Sequence, residues 1–82
     1  MEGEKRAEIT LTYGEKSVGF NFNPNNDPAV DEVKMLYAKI IDICHEQREK
    51  AGPGEKSRLF SVAITEAQTA QMWAVKGLTY KY

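Results

Sequence analysis

Ala51-Gly52-Pro53-Gly54-Glu55 separates two long runs of helix-compatible sequence, and the fold follows from how that break is read. Gly52 suits the left-handed backbone that closes a helix, and Pro53 cannot continue one. So short a link forces the flanking helices antiparallel, as an αα-hairpin. Upstream, Asn23-Pro24-Asn25-Asn26-Asp27-Pro28 is dense in turn formers, and Asp27 before Pro28 sets an N-cap beside a first-turn proline. Downstream, Lys76-Gly77 puts a cation in a last turn and glycine at its stop. These signals predict helix one over residues 28–51, roughly 34 Å long, and helix two over 55–76.

Both helices carry an apolar stripe. Val30, Val33, Tyr37, Ile40 and Cys44 recur at three-four spacing and read as the seam of helix one. Phe60, Ala63, Ala67, Ala70 and Ala74 read as its counterpart, with alanines permitting close approach. Met35, Leu36, Ile41 and Ile43 fall outside the first seam, so the stripe is wider than one partner helix covers.

Before the helices, Ile9, Leu11 and Tyr13 alternate with Glu8, Thr10 and Thr12. Val18, Phe20 and Phe22 alternate again after Gly14-Glu15-Lys16. Period two around a glycine predicts a β-hairpin over residues 7–22, preceded by a polar tail over 1–6. The expected fold class is therefore α+β: one domain over residues 1–82, an N-terminal β-hairpin followed by an antiparallel two-helix hairpin. A two-stranded ribbon is marginal in water, and a domain of 82 residues without disulfide or metal staples gains stability by association. A homo-oligomer is expected.

Composition narrows the function. Twelve acidic against eleven basic residues give a net charge of −1, which argues against coating polymeric nucleic acid by counterion release. No apolar run approaches a membrane span and Met1–Arg6 has no apolar signal core, so no membrane partner and an intracellular location are expected. Cys44 has no disulfide partner, and His45 has no Cys or His at ligand spacing; neither a metal nor a cofactor is expected. Cys44 reads as a buried structural thiol and His45 as a solvated residue. Phosphate loops, nucleophile elbows and paired catalytic histidines are absent, so an enzyme is not expected.

One stripe of helix two stands apart. Arg58, Ser61, Thr65, Gln68, Thr69, Met72 and Lys76 share a side, with cations at its ends and hydroxyl and amide groups between. These groups donate to phosphate oxygens and ribose hydroxyls, and Arg58 offers the bidentate fork suited to phosphate. The same stripe also reads as an ordinary solvated face. Charge is segregated: residues 1–50 hold 10 acids and 7 bases, residues 51–82 hold 2 acids and 4 bases. Trp73 either stacks on a base or fills an interface. Lys34 and Tyr37, one turn apart on helix one, offer a charge and an aromatic plane, though Tyr37 also reads as core.

The run Arg58-Leu59-Phe60-Ser61-Val62-Ala63-Ile64-Thr65-Glu66-Ala67-Gln68-Thr69-Ala70-Gln71-Met72-Trp73-Ala74-Val75-Lys76 resembles the second helix of the phage-encoded sponges that blunt the CBASS and Thoeris defence systems. Glu32-Val33-Lys34-Met35-Leu36 is similar to their first helix. Asn21-Phe22-Asn23-Pro24, read as following a strand, looks like the anti-Thoeris branch. The resemblance spans residues 18–78. It implies a homohexamer with pockets between subunits, in the cytoplasm of an infected bacterium, that binds cyclic oligonucleotides or cyclic ADP-ribose isomers without cleaving them. Lys34, Arg58 and Thr65 fall on motif positions where it suggests ligand contact. Asn23, Tyr37, Ser61, Gln68, Thr69, Trp73 and Lys76 complete the expected ligand-binding set. The alternative is a homo-oligomeric adaptor or structural protein that binds a protein partner through its apolar helix surface; a small nucleic-acid-binding dimer is disfavoured by the acidic first half.

Overall fold

The computed structural model describes residues 10–81. Three helices follow in order: α1, Tyr13–Ser17; α2, Pro28–Ala51; α3, Glu55–Thr79. Gly52 and Gly54 take φ of +71° and +136°, backbone that side chains rarely adopt, and the chain reverses between them so that α2 and α3 pack along their length. Asp27 caps α2 by accepting from the Ala29 N–H at 2.9 Å, and Pro28 occupies the first turn.

The α+β expectation is overturned: among the described residues there is no strand, and the fold is all-helical. Residues 7–9 of the expected hairpin, and the expected tail over 1–6, lie outside the described residues. The remainder goes to helix and turn for a local reason. The Thr12 hydroxyl accepts from the Glu15 N–H at 3.0 Å, and the Glu15 carboxylate accepts from the Thr12 N–H at 2.9 Å. This reciprocal capping box nucleates a helical turn where period two suggested a strand. Gly14 serves close packing against Ala38 rather than a hairpin turn. Gly19, at φ +62°, stops the segment. Val18 is buried, Phe20 half-buried and Phe22 exposed, so the three do not share a face.

The core is Val18, Ala38, Ile41 and Ile64, with Phe20, Tyr37, Cys44 and Ala67 packed partly against it. Burying a side chain such as Ile41 contributes about 1.5–3 kcal/mol. Within the protomer the seam runs through Val30, Lys34, Ala38 and Ile41 on α2 and through Ile64 and Gln71 on α3. The expected seams differ in register: Ile40 and Ala70 are exposed. Cys44 is half-buried at the core edge.

The short α1 is fastened to α2 by three contacts. The Gly14 N–H donates to the Asp42 carboxylate at 2.7 Å. The Tyr13 ring stacks on His45 at 4.1 Å between centroids with a 4° tilt, which corrects the reading of His45 as simply solvated. Arg48 reaches the Tyr13 hydroxyl at 3.4 Å.

Candidate functional site

Because α3 turns its Phe60–Ile64–Ala67–Gln71 side inward, a 100° step per residue carries Arg58, Thr65, Thr69, Met72, Trp73 and Lys76 to the opposite side. All six are exposed there. Ser61 and Gln68 lie half-buried along one edge of this face.

The polar groups on it are unequally free. Arg58 makes a bidentate pair with Glu55 one turn earlier, at 2.9 and 2.7 Å. That pair holds the Glu55 carboxyl below its usual range and raises the Arg58 guanidinium. The Thr69 hydroxyl donates to the Thr65 carbonyl at 3.1 Å, which leaves it acceptor capacity only. The Ser61 hydroxyl accepts from Arg48 Nη1 at 3.0 Å. The Thr65 side chain makes no hydrogen bond among the described residues. Toward the C-terminal end, Lys76 Nζ stands 5.5 Å from the centre of the Trp73 ring. Thr69, Met72, Trp73 and Lys76 line an open hollow of about 390 Å³. Trp73 is 67% exposed, a large aromatic surface left to water by the protomer.

A second group lies at the start of α2. Asn23 is fully committed locally: its amide donates to the Asp27 carbonyl at 2.9 Å and the Asp31 carboxylate at 2.8 Å, and its oxygen accepts from the Asp27 N–H at 3.2 Å. It organises the helix entry. Lys34 is only 4% exposed. Its ammonium donates to the carbonyls of Gly19, at 2.8 Å, and Phe22, so two of its three N–H groups are spent on folding the residue 19–22 turn. Burial lowers the Lys34 pKa from its ordinary 10.5, partly offset by Asp31. Tyr37 is half-buried against the core.

The residue the sequence reading missed is Phe22. It is 72% exposed, its ring centre lies 5.4 Å from Lys34 Nζ, and it borders a hollow of about 190 Å³ that also touches Asn23, Val75 and Thr79. Its neighbours Asn21, Asn23 and Pro24 are turn formers, a signal that the aromatic ring sits on a loop rather than in a strand face.

Arg58 and the Lys34–Phe22 group lie far apart. Val75, beside Phe22, is 17 residues beyond Arg58 on one helix, roughly 25 Å along its axis. The turn-end cations and the Lys34–Phe22 group therefore do not converge within one protomer.

Among the described residues, no helix is long and apolar enough to cross a membrane, and no group of three or more His, Cys, Asp or Glu is placed to hold a metal ion. No curated protein and no solved structure matches the chain. A family model described as Acb2/Tad1, hairpin domain, matches residues 15–79, from within α1 through the last residue of α3. That description joins the anti-CBASS and anti-Thoeris branches and does not divide them. The turn that replaces the expected strand before Asn21-Phe22-Asn23-Pro24 leaves the closer likeness to the anti-Thoeris branch resting on those four residues alone. With most of its length matched, the chain belongs to the Acb2/Tad1 hairpin-domain family, known for sequestering cyclic nucleotide signals.

Proposed function

We propose that this protein is a phage anti-defence sponge: it binds cyclic ADP-ribose isomers or cyclic oligonucleotides and holds them without cleavage. The observation that carries the reading is the outer face of α3. There Arg58, Thr65, Thr69, Trp73 and Lys76 present cations, hydroxyls and an indole to solvent on a chain of net charge −1. Phosphate suits the cations and a base suits the indole.

Sequestration needs no reactive group. A sponge lowers free signal by mass action, so affinity and abundance suffice. The second contact group is Lys34, with one N–H left, beside the exposed Phe22 ring and with Asn23 and Tyr37 shaping its surroundings. Since Arg58 and the Lys34–Phe22 group are separated along the hairpin, a ligand the size of a cyclic dinucleotide touches both only where neighbouring copies meet, or else they serve separate pockets. Ser61 and Gln68 border the first.

Assembly of copies, as a homohexamer in the host cytoplasm, is part of the proposal. Leu36, Ile40 and Ile43 form an exposed apolar stripe on α2 at four-three spacing, opposite its buried side, and this supports burial against another copy. Within such an assembly, repeated cations create local positive potential that the net charge conceals.

Calorimetry with cyclic dinucleotides, cyclic trinucleotides and cyclic ADP-ribose isomers tests the reading. At least one should bind and be recovered chemically intact after the protein is denatured. Absence of binding across the panel overturns it.

A further inference from the structure

Arg48 is the side chain the sponge reading leaves unused. Half-buried near the turn end of the hairpin, it contacts all three helices. Nη1 donates to Ser61 Oγ on α3 at 3.0 Å. Nη2 lies 3.2 Å from His45 Nδ1 on α2 and 3.4 Å from the Tyr13 hydroxyl on α1. The guanidinium carbon stands 5.7 Å from the Tyr13 ring centre, and that ring is stacked on His45.

None of these partners is a carboxylate. The ion pairs among the described residues are Lys50–Glu46 and Arg58–Glu55, and Asp42, one turn before His45, is engaged by the Gly14 N–H. Among the described residues the guanidinium thus has no carboxylate partner, and three of its five N–H groups are used. Its partners are also polarised in one sense. Arg48 can only donate, so Ser61 Oγ and Tyr13 Oη accept from it and keep their hydroxyl hydrogens to donate, and the tautomer in which His45 Nδ1 accepts carries its hydrogen on Nε2. A positive centre ringed by donors, with no carboxylate among them, fits an oxyanion. Because the guanidinium is already held, little side-chain freedom is lost on binding.

We propose that Arg48, with Ser61, Tyr13 and His45, is an oxyanion seat that takes a phosphate group. Ser61 stands one turn from both Arg58 and Thr65 on α3, so a phosphate on Arg48 adjoins the outer face of that helix. The assignment of that phosphate to a cyclic nucleotide rests on the sponge reading; the seat itself rests on the geometry.

The test is a titration of the isotope-labelled full chain, first with inorganic phosphate and then with a cyclic dinucleotide, following the Arg48 Nε–H and His45 ring resonances. Phosphate should shift both saturably; Arg48→Gln should abolish the shifts, and Lys39→Gln, at an exposed cation on the far side of α2, should leave them. Should Arg48→Gln fail to fold, the wild-type titration decides alone. Unmoved Arg48 and His45 signals while the dinucleotide perturbs α3 overturn the seat and leave the sponge reading standing. Phosphate shifts at Arg48 from a protein that binds no cyclic nucleotide in the panel uphold the seat and sink the sponge. Phosphate shifts at His45 that persist in folded Arg48→Gln also overturn the seat.

Discussion

Gly14 and Ala38 meet backbone to backbone, so closely that a Cβ on Gly14 would strike the Ala38 carbonyl group. The approach brings the Gly14 N–H within 2.7 Å of the Asp42 carboxylate and allows α1 to lie on α2. Glycine is needed here for space, since the Ala38 backbone cannot yield as a flexible side chain would. Gly14→Ala should destabilise the chain by about 1–3 kcal/mol, the usual cost of overpacking. Urea unfolding should show a lower midpoint with an unchanged slope. Unchanged stability would mean that α1 is not seated on α2.

Lys34 gives the chain an unusual alkaline response. Its pKa is lowered from 10.5 in the folded state, chiefly by burial. Between that lowered value and 10.5 the unfolded chain binds more protons at this site than the folded one does. Stability from Lys34 therefore rises with pH across that window and is flat below it. Lys34→Met removes the effect and leaves the Gly19 and Phe22 carbonyls without their donor, at a cost of about 1–3 kcal/mol. The stability difference between wild type and variant, measured from neutral pH to just below 10.5, should grow. A shrinking difference would reverse the sign assigned to Lys34.

Arg58 is held by Glu55 in a fully exposed bidentate pair, so a phosphate ligand competes with a carboxylate for the same fork. Glu55→Gln removes that competitor and should tighten cyclic nucleotide binding. Arg58→Ala should weaken it by about 10- to 100-fold, the worth of one or two charge-assisted hydrogen bonds. Neither change should move the thermal midpoint appreciably, because exposed ion pairs contribute little to stability. Calorimetry beside thermal unfolding separates the two effects; equal affinity in wild type and both variants would remove Arg58 from the site.

The hairpin was legible because its signals are local and strong: Asp27-Pro28 opens one helix, and Gly52-Pro53-Gly54 ends it and reverses the chain. The outer stripe of α3 was legible too, since helical periodicity alone puts Arg58, Thr65, Thr69 and Lys76 on one side. The N-terminal segment misled because Val18, Phe20 and Phe22 alternate like a strand. The deciding feature was the Thr12–Glu15 capping box, a three-residue spacing masked by the alternation. The seam was read one position off because Tyr37 and Ile40 look more core-forming than Lys34 and Ala38. Lys34 enters the seam only because two carbonyls of a distant turn satisfy its ammonium, and such a contact leaves no periodic trace. Phe22 was missed for the same reason: its contact with Lys34 spans 12 positions.

Trp73 is the chain's single tryptophan, and its exposure makes its fluorescence a reporter of what covers the outer surface. If copies assemble, concentrating the protein should move Trp73 emission to shorter wavelength wherever the indole becomes buried, while sedimentation shows a larger particle. The apolar stripe provides the lever. Ile40 and Ile43 lie exposed on the side of α2 away from the core, so Ile40→Glu or Ile43→Glu should leave the helical content of the protomer unchanged and place charge in any interface formed there. Each buried, unpaired carboxylate costs several kcal/mol per copy, enough to shift assembly by orders of magnitude. The variants should sediment as small particles at concentrations where wild type is assembled, with Trp73 emission typical of water-exposed indole if the same interface buries it. Wild type that sediments as a single protomer at micromolar concentration would remove the proposed inter-subunit pocket.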